Sequence, residues 1–299
     1  MGWILRKRTP GDVLFDAFIA AACILVFLIV AYPLYFVVIA SVSDSTMVAT
    51  GKVWVWPRGF SLFGYSEIFG DTRIWRGYRN TILYTTLGTF VNLLFTLPAA
   101  YALSRQEFRA RRFLMFVFVV TMFFSGGLIP TYLLIKGLGM TNTMWVFIFP
   151  FCVNVYNLII VRTFFETSLP RELYEAAAMD GCGHFRFFWS VALPLSKAVI
   201  SVIGLYYAVA HWNDFFTALV YVRDNDLQPL QIVLRDILLS NQVFQSGAGT
   251  GGQAGGYAQR YADQIKYGVI IVSTLPILLV YPFIQKYFEK GVMIGSVKG

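Results

Sequence analysis

Six stretches of the chain are apolar for about the 20 residues a helix needs to cross a bilayer. They run over 17–40, 81–103, 113–135, 143–161, 198–220 and 267–285, and five of them contain no Asp, Glu, Lys, Arg or His. No soluble core buries six such segments. The pattern predicts an all-α polytopic membrane protein with six transmembrane helices in a single domain spanning 1–299. Composition agrees, with 57% hydrophobic residues and 13% charged ones, against roughly 25% charged in a soluble domain. A soluble enzyme, a disordered chain and a disulfide-stapled secreted fold are all excluded on these grounds.

The first run resembles a signal peptide, because Arg6, Lys7 and Arg8 precede it and Ala20-Ala21-Ala22-Cys23 resembles a weak lipoprotein cleavage box. It continues for 17 residues past Cys23, too far for a removable hydrophobic region, and reads as a retained span. Orientation follows from the basic residues, since short loops weigh most in setting topology. Loop 104–112 carries Arg105, Arg109, Arg111 and Arg112, whereas loop 136–142 carries only Lys136. Both termini are therefore expected on the cytoplasmic side, with 162–197 a cytoplasmic loop between the fourth and fifth spans and 221–266 an extracytoplasmic one.

Several chemistries are poorly supported. The net charge of +8 comes from residues between apolar runs, which topology explains without nucleic acid. Cys23, Cys152 and Cys182 lack the spacing of a disulfide framework or a metal site. His184 and His211 lie 27 positions apart, so no metal is expected. The tract 246–256 holds six glycines but no following Lys-Ser/Thr pair, so it reads as a flexible tether and not a phosphate loop. Gly51-Lys52 is followed by Val53, again outside the phosphate-loop pattern.

Ion-coupled carriers usually keep ionisable groups near mid-membrane. Here only the fifth run has any, and Asp214 falls about 24 Å along it at 1.5 Å per residue, near the outer interface. Any energy for transport must then come from another polypeptide, which directs attention to loop 162–197. There Ser168 is placed to cap a helix, Pro170 suits a first turn, and Leu169, Leu173, Ala176 and Ala177 recur at helical spacing. Asp180-Gly181 should end that helix. His184 to Trp189 is aromatic-rich and should lie along the membrane surface, before Leu193-Pro194 leads into the fifth span. From physics alone an ordinary amphipathic surface helix and a force-transmitting knob are equally good readings.

The loop also resembles a known signature. Glu175-Ala176-Ala177, Gly181, Val191 and Leu193-Pro194 are similar in type and spacing to the EAA loop of permease subunits of bacterial ABC importers, with Val191 where Ile is commoner. The C-terminal residues 291–299 and His211-Trp212-Asn213-Asp214 are similar to the MalG-type sugar branch, in its oligosaccharide group (lipoprotein-associated, aldouronate-, rhamnogalacturonan- or alginate-type permeases).

That resemblance implies a transporter subunit of the bacterial inner membrane that performs no bond chemistry and holds no cofactor, ATP and Mg being bound by a partner ATPase. Glu175, Ala176, Ala177, Asp180, Gly181, Leu193 and Pro194 would couple to the ATPase, and Gly295, Val297 and Lys298 of the tail would contact it. The partners implied are a second permease subunit, two ATPase subunits, an extracytoplasmic sugar-binding protein reached by 221–266, an oligosaccharide and the lipid bilayer. For the sugar path, Asn154, Tyr156, Asn157, Trp212 and Asn213 have suitable stacking and hydrogen-bonding groups. Interhelical bonds and interfacial anchoring account for them equally well. The rival readings are an ABC permease for a non-sugar solute and an ion-coupled carrier.

Overall fold

The structure is a computed structural model, and it describes residues 10–245, 265–279 and Pro282. The described residues contain helices, turns and bends and no strand. The chain divides into two compact units.

The first unit comprises residues up to Gly70 together with Leu238–Val272. Its main element is α1 (Pro10–Ser41), followed by the short α2 (Ser45–Ala49) and α3 (Phe63–Gly70). Apolar side chains cover α1 on all sides and nearly all are exposed, as expected for a helix whose solvent is hydrocarbon. Asp44 starts α2 by accepting from the Thr46 backbone N–H at 2.9 Å. Tyr65 then ties α3 to the end of α1, its hydroxyl donating to Ser41 Oγ at 2.8 Å.

The second unit, Asp71–Ile237 with Ser273 onward, is built on α4 (Thr72–Ser104). Asp71 caps α4 by accepting from the Arg73 N–H at 2.8 Å. Then come α5 (Arg111–Phe123), α6 (Leu128–Gly137), α7 (Val155–Ser168), α8 (Arg171–Met179), α9 (His184–Phe187), α10 (Leu193–Leu195), α11 (Lys197–Trp212), α12 (Phe216–Tyr221) and α13 (Leu230–Gln245), whose residues from Leu238 on belong to the first unit. Residues 265–279 form the apolar helix α14, which belongs partly to each unit. The core of the second unit lies where α4 packs on α7 and α11. Leu97, Ala100, Tyr101, Leu158, Phe165 and Ile203 are buried there together.

By length and composition α1 and α4 are each able to span a membrane, and two bent pairs pass the same test only when joined. Three apolar runs are therefore not the single rods their hydropathy predicts. Run 113–135 is split into α5 and α6 with a bend of 115°. Gly127, at φ 83°, takes a conformation that only glycine adopts cheaply. Run 143–161 begins as a 3-10 turn, Met144–Phe147, and becomes α-helical only at Val155. Pro150 cannot donate to a helical ladder, and Phe151 sits at φ 59°. Run 198–220 breaks at Asn213, where Asp214 accepts from the Thr217 N–H at 3.0 Å and restarts the chain as α12.

Other differences are smaller. Ser168 does not cap α8, because α7 continues through it, and Pro170 precedes α8 without a side-chain cap. The stretch 221–266, expected as a loop, carries α13, whose Leu230, Val233 and Leu234 are buried. The glycine tract 246–256 lies outside the described residues.

Candidate functional site

Polar residues recur along one face of α4. Gly88, Asn92 and Thr96 are spaced by four, so they stack on successive turns. Facing them on α11 are His211 and Tyr207. His211 Nε2 and Asn92 Oδ1 are 2.7 Å apart, and the Asn92 amide donates to the Cys152 carbonyl at 2.8 Å. One turn further, Thr96 Oγ1 and Tyr207 Oη are 2.7 Å apart. The same phenol oxygen accepts from the Asn154 N–H at 3.1 Å. The ladder binds α4 and α11 to the broken backbone before α7, whose irregular turns have no helical partners of their own.

The ladder forms the floor of a cleft of about 310 Å³, lined also by Phe151, Asp214 and Thr217. Its walls present an imidazole, a carboxylate, amides, hydroxyls and aromatic faces. That is the chemistry of a site for a hydroxylated solute, where a few polar groups orient a ligand against apolar walls.

The sequence-derived path residues separate on this geometry. Asn154 lines the cleft while its side chain caps α7, accepting from the Asn157 N–H at 3.1 Å. Asn157 is buried on α7, and Tyr156 is exposed away from the cleft lining. Trp212 is buried, with its indole N–H donating to the Ser273 carbonyl at 3.1 Å, so it serves as an anchor between α11 and α14. Asn213 is exposed and donates to its own helix at Val209. Asn92, Phe151 and Tyr207 were missed by sequence reasoning, and His211 entered it only through the sugar-branch motif and as an ionisable group of the fifth run. Phe151 is 76% exposed, a free aromatic face at the rim in a left-handed conformation that L-residues rarely adopt. The readable signal was Asn92 and Thr96 at helical spacing inside an otherwise apolar run.

At the other end of α4, α8 presents two faces. Tyr174 and Ala177 pack on the core. Tyr174 stacks on His184 at 4.5 Å between ring centroids, bonds its Nε2 at 3.0 Å, and meets Phe187 edge-on. The opposite face is exposed and carries Glu172, Glu175, Ala176 and Met179. Glu175 is paired with Arg171 at 2.7 Å.

The helix ends in a built stop. Gly181 stands at φ 76°, its N–H donating to Ala178 O at 2.9 Å, and the Cys182 N–H donates to Ala177 O at 3.0 Å. These are the paired bonds of a Schellman closure, and Asp180 is the residue capping the helix. Beyond it, Phe188–Ala192 forms a π turn, and Leu193 and Pro194 make up most of the three-residue α10. Gly295, Val297 and Lys298 lie outside the described residues.

Residues 74–294 match the family model described as "Binding-protein-dependent transport system inner membrane component". Protein LplC of Bacillus subtilis (strain 168) is 42% identical over 89% of this chain and 89% of its own length. The polygalacturonan/rhamnogalacturonan transport system permease protein YtcP of the same organism is 40% identical over 96% of this chain and 99% of its own. Among solved structures, a chain of a bacterial ABC transporter involved in the import of the acidic polysaccharide alginate superposes with a TM-score of 0.84 at 30% identity. That match covers 95% of this chain and 99% of the other.

Proposed function

Because this chain belongs to the family of binding-protein-dependent transport system inner membrane components, we propose that it forms half of the translocation pathway of an ABC importer for an oligosaccharide or polysaccharide fragment. The other half is a second permease subunit, two ATPase subunits bind ATP and Mg, and an extracytoplasmic binding protein delivers the sugar. This chain itself catalyses no reaction and carries no cofactor. Six membrane crossings with both termini in the cytoplasm complete the reading.

The observation that carries the mechanism is the two-faced α8. Its inner face is seated on the core through Tyr174 and Ala177, while Glu175, Ala176 and Met179 face outward. A helix so held transmits displacement to the core instead of absorbing it. On this reading Ala176 admits close approach of an ATPase groove, and Glu175 exchanges Arg171 for a basic residue there. Such exposed pairs contribute only about 0.3–0.5 kcal/mol, so the exchange costs little. Ala177 supports from behind, Asp180 and Gly181 fix the turn, and Leu193 and Pro194 relay motion into α11. The tail residues Gly295, Val297 and Lys298 add a second ATPase contact.

The cleft beside Asn92, Asn154 and His211 supports the sugar assignment. Names of the relatives point the same way, one a polygalacturonan/rhamnogalacturonan permease and another part of an alginate importer. The test is reconstitution with the partner subunits and measurement of ATPase stimulation by the sugar-loaded binding protein. Glu175→Lys should abolish stimulation while basal hydrolysis by the ATPase subunits persists. Full stimulation in a correctly assembled Glu175→Lys complex would overturn the coupling role.

A further inference from the structure

A second cleft, of about 640 Å³, opens between the last turns of α4 and the segment from α9 into the π turn. Its size is that of a small-molecule site, yet its walls are hydrocarbon. Leu94, Pro98 and Ala102 line it from α4, with Phe185, Phe188 and Trp189 opposite. The α4 residues are spaced by four and make one continuous strip. Phe185 and Trp189 are 78% and 51% exposed, the disposition aromatic residues take at a bilayer interface.

The polar end of this cleft is unusual. Arg105 lines it although only 8% exposed. Its guanidinium lies 4.8 Å from the centre of the Tyr101 ring, and Nε donates to Ser104 Oγ at 3.2 Å. The Nη groups make no hydrogen bond or ion pair with a described residue. Tyr101 lines the same cleft at 6% exposure, and its buried hydroxyl has no hydrogen-bond partner among the described residues. A buried phenol hydroxyl without an acceptor and a guanidinium with unengaged Nη groups thus meet at the end of a hydrocarbon groove, in a protein whose solvent is a bilayer.

We propose that this cleft holds a phospholipid of the surrounding membrane, one acyl chain lying on Leu94, Pro98 and Ala102 and the phosphate accepting from Arg105 and Tyr101. An apolar helix of a neighbouring subunit would fill the groove but leave both donors buried without acceptors, which is costly; a phosphodiester supplies them. Glu107 also lines the cleft, but Arg109, Arg111 and Arg112 follow it in the sequence. Arg111 is already paired with Glu166, but the excess of basic residues in this loop suits an anionic headgroup. His184 forms part of the same wall and bonds Tyr174 of α8, so the lipid abuts the ring on which α8 is seated. The site requires only that the chain sits in a membrane and is independent of which solute is carried.

The experiment is lipid extraction and native mass spectrometry on the assembled complex in mild detergent, followed by titration with phosphatidylglycerol or phosphatidylcholine in nanodiscs. The intact complex should retain a phospholipid that Arg105→Gln binds at least about tenfold more weakly, the worth of one charged hydrogen bond. Ala102→Trp, which fills the strip, should exclude it while the complex still assembles; Leu94→Trp serves if that variant does not assemble. A photo-crosslinking residue replacing Phe185 should yield a lipid adduct. Equal lipid retention in all variants, or an adduct to a partner polypeptide, would overturn the proposal.

Discussion

Gly88 of α4 and His211 of α11 meet so closely that a β-carbon on the glycine would lie 2.5 Å from both Cε1 and Nε2 of the imidazole. The glycine is what allows the ring to reach Asn92 Oδ1 at 2.7 Å. Gly88→Ala must push the ring aside and break that bond. Overpacking of this kind costs about 1–3 kcal/mol. A lower melting temperature of the purified complex should result, and adding His211→Ala should recover much of the loss because the clash disappears. No recovery in the double variant would show that the two residues do not communicate.

Gly181 poses the opposite situation. Nothing lies within 4 Å of a β-carbon there, but its φ of 76° is left-handed. Only backbone strain then opposes substitution, at roughly 1–2 kcal/mol. Gly181→Asn, which tolerates that conformation, should retain most of the stimulated ATPase activity, whereas Gly181→Val should lose it. Equal activity of the two variants would mean that the turn is not needed in this form.

Trp212 is expected to act as an anchor. Trp212→Phe removes the indole N–H that bonds the Ser273 carbonyl and forfeits that hydrogen bond, at about 0.5–1.5 kcal/mol. Melting temperature should fall, and the concentration of sugar-loaded binding protein giving half-maximal stimulation should not move. Phe151→Ala should do the reverse, weakening transport while leaving melting unchanged or slightly improved.

Asp71 provides a pH dependence with a defined sign. The Arg73 side chain, hydrogen-bonded to it, holds its carboxyl below the ordinary value despite the opposing effect of partial burial. A depressed acid stabilises the fold fully above its unfolded pKa of about 3.9, and that contribution fades as pH drops through the lower folded value. Stability near neutrality should therefore be flat with respect to this group. Between pH 5 and 3 the unmodified protein should lose more than Asp71→Asn does, as read by thermal unfolding at each pH.

The helical class and the membrane setting were legible because both follow from apolar run length. The stop of α8 was legible too, since Asp180-Gly181 carries its own turn chemistry. What run length conceals is where a run breaks. Gly126-Gly127 and Pro150 are local punctuation inside stretches whose average hydropathy hides them. The cleft was concealed for a related reason. Asn92, Thr96, Tyr207 and His211 are minor polar residues in apolar runs, and they acquire meaning only when α4 and α11 are set face to face. For Trp212 and Asn213 the sequence shows stacking and hydrogen-bonding capacity but not the bonds to Ser273 and Val209 in which they are engaged.

The π turn at Phe188–Ala192 gives the region an indexing property. Such a turn holds one residue more than an α-helical turn, and each residue advances a helix by about 100°. The aromatic segment carrying His184 and Phe185 is thereby rotated out of phase with Leu193 and Pro194. Removing one residue from the bulge would screw the two stretches back into step and turn the seat of α8 through more than a quarter revolution, with no change in the chemistry of any side chain that remains.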